Sequence, residues 1–146
     1  MKTKSLVDNE TSEGAVMSRK AVGVLLTEAE FELMTFLWEL EKGTVREVLE
    51  LREMKTKGEA KPMAYTSAST IIRILEQKNI VESIKEGKTH IYSPILTKKE
   101  YEEKTLHHMV EKVFDRRPSS LVKSLIGSGK ISENEKKELK KLLKGL

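Results

Sequence analysis

The sequence predicts a mostly α protein with a small β-wing: an N-terminal winged helix-turn-helix over residues 25–96, then a C-terminal helical dimerisation region over residues 97–146. Two observations carry this. An amphipathic stretch, Thr66 to Lys78, runs straight into two β-prone stretches joined by a basic, glycine-containing turn. Beyond residue 97, three further amphipathic stretches carry more apolar residues than short helices can cover by themselves.

Taken in order, residues 1–24 mix Lys, Ser, Thr, Asp, Glu and Gly without a period, which predicts a flexible tail. Thr27 with Glu30 forms a capping box, and Phe31, Met34, Leu37 and Trp38 then repeat at helical spacing as core positions to about Glu41, with Gly43 as the stop. Thr44 and Glu47 repeat the box and open a brief second helix with Val45, Val48 and Leu49 inward. Arg52 to Met63 is charged and holds Gly58 and Pro62, so it reads as a basic loop. In Thr66–Lys78, Ala68, Ile71, Ile72 and Leu75 share one face. Asn79 suits a left-handed helix stop, and Ile80–Lys85 and Thr89–Ser93 form a hairpin around Glu86-Gly87-Lys88.

After the wing, Thr97 and Glu100 cap a long helix to about Asp115, striped by Leu106, Met109, Val110 and Val113. Pro118 opens another with Leu121, Val122, Leu125 and Ile126 as its apolar face, ended by Gly127-Ser128-Gly129. Ser132 and Glu135 cap a last helix bearing Leu139, Leu142 and Leu143. These stripes predict burial against a second copy of the chain, through Leu106, Met109, Val110, Val113, Leu121, Leu125, Leu139 and Leu142.

Composition narrows the function. At 146 residues and 38% hydrophobic content the chain can bury one small core with a helical appendage. It has no cysteine, hence no thiolate chemistry, disulfide or Cys-ligated metal, and a cytoplasmic location is expected. It shows no run of 18 apolar residues and no signal-peptide core, so no membrane association is expected. His107 and His108 are adjacent, which points them about 100° apart on a helix, and no metal or cofactor is expected there. With no Gly-rich phosphate loop, nucleophile elbow or ligand cluster, catalysis is not expected.

The net charge of +4 is unevenly spread: residues 25–97 hold 10 Lys/Arg against 12 Asp/Glu, and residues 98–146 hold 13 against 8. Locally, residues 55–92 hold seven Lys/Arg against four Glu, a positive face on the helix-and-wing side. The outer face of Thr66–Lys78 carries Thr66, Ser67, Thr70, Arg73 and Gln77 with a single carboxylate, Glu76, whereas other helices here are filled with Lys and Glu. Short hydroxyls, an amide and a guanidinium are groups that read base edges in a major groove. Lys55, Lys61, Lys85, Lys88 and His90 are the candidate phosphate contacts. A winged helix used only to bind another protein is the alternative, favoured by the acidic balance of residues 25–97.

The run Leu26-Thr27-Glu28-Ala29-Glu30 with Leu37-Trp38 and Thr44-Val45-Arg46-Glu47-Val48 resembles the start of the penicillinase repressor family. Ala64-Tyr65-Thr66-Ser67 with Thr70 and Leu75, then Gly87-Lys88-Thr89-His90-Ile91-Tyr92-Ser93-Pro94, is similar to that family's recognition helix and wing. Ser120-Leu121-Val122 and the last capped helix extend the resemblance over about residues 25–144. It implies a homodimeric repressor on a palindromic operator in double-stranded DNA. Departures are specific. Where the family has a basic residue just before the leucine read at Leu75, this chain has Ile74, preceded by Arg73. Where sensor-controlled members are cut at an Asn-Phe bond, it has His108-Met109, so a regulatory protease finds no support in the sequence. The cysteines by which copper-responsive relatives bind metal are missing.

Overall fold

A computed structural model describes residues 25–146; the predicted tail, residues 1–24, lies outside them. The described residues form helices α1 (Glu28–Leu40), α2 (Val45–Thr56) and α3 (Tyr65–Gln77), strands β1 (Val81–Glu86) and β2 (Thr89–Pro94), and helices α4 (Lys98–Lys112), α5 (Pro118–Gly127) and α6 (Glu133–Lys144). They divide into two compact units, one reaching Lys104 and the other Thr105–Leu146.

In the first unit, the α1 and α2 boxes close in both directions: Thr27 and Thr44 accept the amides of Glu30 and Glu47, whose carboxylates accept the cap amides in return. The amphipathic faces these caps start meet in one core. Leu33, Met34 and Leu37 of α1, Val48 of α2, Ala68, Ile72 and Leu75 of α3 and Val81 of β1 are almost fully enclosed. The hairpin pairs β1 antiparallel to β2, and Gly87 takes φ +64° at the first position of its two-residue loop, an angle costly for any side chain. The wing has a third rung: Gly43 and Tyr92 exchange amide–carbonyl bonds of 2.9 and 2.8 Å. Gly43 therefore acts as a wing partner more than as a stop, since Glu41 caps α1 with φ +70°. A Cβ at Gly43 would lie 3.1 Å from Leu40 Cδ1, so the close approach suits glycine.

Three expectations are corrected. The basic loop predicted from Arg52 begins only after Thr56, because α2 continues and buries Leu51 and Arg52. Arg52 Nε donates to Glu32 at 3.0 Å and its Nη2 donates to the Lys61 carbonyl at 3.0 Å, tying the shortened loop to α1. Phe31 is not core but 42% exposed. It packs edge-on against a half-buried Trp38 and beside Tyr101, while the Trp38 indole donates to the Leu96 carbonyl. Tyr101 also accepts the Leu26 amide at 3.2 Å, which joins the start of α4 to the first unit. Lastly, α4 ends at Lys112, short of Asp115, which itself adopts φ +51°.

In the second unit, α5 starts at Pro118 and α6 is capped by Ser132, as the sequence predicts. None of α4, α5 and α6 contains a buried residue.

Candidate nucleic-acid interface

The site is built on α3. Its buried stripe sets its rotation, so the opposite side must face outward, and Thr66, Ser67, Thr70, Arg73 and Gln77 are all exposed. The Thr70 hydroxyl donates to the Thr66 carbonyl, a local bond that leaves its oxygen free to accept. The far end of α3 is stopped by Asn79 at φ +61°: Ile80 N–H bonds the Leu75 carbonyl and Asn79 N–H the Glu76 carbonyl. Those two bonds are a Schellman closure, and they turn the chain directly into β1.

The one carboxylate of this face is already engaged. Glu76 Oε2 accepts from Ser83 Oγ at 2.6 Å, which pins the wing to α3 and turns the acid away from open solvent. Strand alternation and register then place Ser83, Tyr92, Lys85 and His90 on a single face of the hairpin, with Lys85 directly opposite His90. Because Ser83 touches α3 and Tyr92 is buried, that is the α3-facing side of the wing. His90 stacks on Tyr92 with ring centroids 6.3 Å apart. Lys88 stands exposed in the turn. Burial pushes the Tyr92 phenol above its ordinary pKa, and the charge of Glu76 adds to the rise against a smaller opposing effect of Arg73.

The remaining predicted cations are placed differently. Lys55 lies on α2, not in a loop, and pairs with Glu39 at 3.0 Å. Lys61 is exposed in the loop whose carbonyl Arg52 holds. Behind the site, Lys78 donates to Glu30 at 2.7 Å and locks the end of α3 to the cap of α1. Burial alone would raise the Glu30 carboxyl, but the Lys78 ammonium and the Thr27 donors outweigh it and hold the group below its ordinary value.

Two side chains beside the site were not singled out as contacts by sequence reasoning. Arg46, near the start of α2, lies with its guanidinium carbon 5.8 Å from the ring centroid of Tyr65, the first residue of α3. The signal for Arg46 was its place in the first turn of a capped helix, where a cation opposes the helix dipole.

A profile of the Penicillinase repressor family matches residues 26–145. The chain belongs to the penicillinase repressor family. This covers both compact units and agrees with the resemblance and the fold class read from the sequence. No curated protein matches the chain significantly. Penicillinase repressors are transcriptional repressors of the winged-helix kind, regulators and not enzymes. Among the described residues no helix is long and apolar enough to cross a membrane.

Proposed function

We propose that this penicillinase repressor family chain binds double-stranded operator DNA as a homodimer and represses transcription from a palindromic site. The observation that carries the reading is the outer face of α3: exposed Thr66, Ser67, Thr70, Arg73 and Gln77, with Glu76, the one carboxylate of α3, engaged by Ser83. On this reading α3 enters the major groove and its side chains bond base edges. Lys88 at the wing tip, Lys85 and His90 on the α3 side of the wing, and Lys61 in the loop contact phosphates. Lys55 joins them only by releasing Glu39.

Dimerisation is supported by the second unit. Leu106, Met109, Val113, Leu125 and Leu142 are exposed and Val110, Leu121 and Leu139 half-buried in the single chain, an apolar total well beyond scattered surface residues. A second copy carries the same stripes, and a two-fold pairing lets each cover the other. A cytoplasmic location follows from the same function.

Footprinting on the DNA upstream of the chain's own gene tests the proposal. Protection of two inverted half-sites is the expected result. DNA binding through six to ten phosphates loses about 10³–10⁵ in affinity between 50 and 200 mM salt. No footprint, together with no salt-dependent duplex binding, would leave the protein-interaction reading in its place.

A further inference from the structure

The Arg46–Tyr65 pair has no part in the fold's own charge pairing. Arg52, Lys55 and Lys78 of the first unit each hold a carboxylate within 3.0 Å. Arg46 has Glu47 beside it and Glu50 four residues on, yet among the described residues no carboxylate lies within 4 Å of its guanidinium. The Glu47 carboxylate is occupied by the Thr44 amide. The guanidinium lies over the Tyr65 ring instead, and both side chains are exposed, Tyr65 by 52%.

A guanidinium held over an aromatic face, with no carboxylate to pair with, keeps N–H donors free for the two oxygens of a phosphodiester. Tyr65 immediately precedes Thr66 and Ser67, the first two groups of the base-reading face. A duplex read by that face carries its backbone past the start of α2, where Arg46 stands. Resting on the DNA reading proposed above, we infer that Arg46 contacts a backbone phosphodiester of the duplex, with Tyr65 as the residue that positions its guanidinium. The contact is with charge, so it is independent of sequence and adds affinity on every duplex.

The test needs no knowledge of the operator. Wild type and variants are titrated against a random-sequence duplex of about 30 base pairs, roughly three helical turns, at several salt concentrations. Arg46→Ala should reduce the log–log salt slope by about 0.9 for each subunit engaged, so its deficit shrinks about 3.5-fold per subunit between 50 and 200 mM salt. Arg46→Lys, which keeps the charge, should restore the slope. Tyr65→Phe should bind like wild type, whereas Tyr65→Ala should weaken binding, and combining it with Arg46→Ala should add less than the two separate losses. A wild-type chain that binds no duplex in a salt-dependent way overturns the DNA reading and the Arg46 contact together. A wild type that binds while Arg46→Ala keeps the full slope overturns the Arg46 contact alone, and strict additivity of the two alanine losses overturns the positioning role of Tyr65.

Discussion

Arg73 and Lys88 carry the same charge on different elements, and their loss should be felt differently. Arg73 projects from the exposed face of α3; if it forks to a guanine, Arg73→Ala removes about 1–3 kcal/mol of discrimination at that base pair. Lys88 stands in the wing turn, where a phosphate contact holds no sequence information, so Lys88→Ala should weaken operator and scrambled duplex alike and lower the salt slope by about 0.9 per subunit. Titrating both variants on both duplexes separates the roles; an equal effect of Arg73→Ala on the two duplexes would show that Arg73 reads no base. A second residue-scale prediction concerns acid. The folded Glu30 carboxyl lies below its unfolded value, so the stability it contributes is complete above the ordinary carboxylate pKa, about 4.3, and is lost as pH falls through the lower folded value. Glu30→Gln should flatten that acid limb in urea melts below about pH 4 and cost about 1–2 kcal/mol at pH 7, a modest figure because Lys78 is partly solvated. An unchanged acid limb would show that Glu30 and Lys78 do not couple. The Tyr92 phenol acts on the opposite limb: its raised value gives stability that is present below pH 10 and lost as pH climbs past the folded value.

Among the elements, α3 was the most legible, because its stripe, its polar face and its stop are all local properties. The left-handed residue Asn79 is a type that tolerates this angle, and alanine is not. Asn79→Ala should therefore destabilise by about 1–2 kcal/mol in urea unfolding, while Asn79→Gly should be neutral. Equal losses from both would mean that the Asn79 side chain, not its backbone angle, holds the turn. The end of α2 was not legible for a complementary reason. Arg52 looks like a solvent-facing loop residue until Glu32, twenty positions earlier, and the Lys61 carbonyl are brought to its guanidinium. Lys55 moved from loop to helix with it and acquired Glu39. The Gly43–Tyr92 rung is illegible in the sequence likewise, since a single bridge has no periodicity.

For the whole molecule, the second unit shows what the single chain leaves unfinished. Leu142 is 66% and Leu106 52% exposed, and no residue of α4, α5 or α6 is buried. The proposed dimer predicts that Leu139→Ala weakens self-association by about 2–5 kcal/mol with little change in the melting of the first unit. Sedimentation velocity over a range of concentrations measures this, and a wild type that stays monomeric throughout would remove the dimer. With the dimer in place, operator binding should be tightest for two half-sites about one helical turn, or a multiple, apart. A lone half-site bound as tightly as the pair would break the link between protein and operator symmetry.

The sequence by itself determined the family, the order of the elements, the capped helix starts, the rotation of α3 and the hairpin. Each of these rests on neighbours a few residues apart, whose spacing is written in the chain. Only the tertiary structure decided where α2 ends, that Phe31 lies at the surface beside Trp38 and Tyr101, and that Ser83 engages Glu76 beside the outer face of α3. It also placed Arg46 on Tyr65. Those outcomes depend on side chains brought together by packing, and a linear pattern holds no record of such partners until the core has set the distances between them.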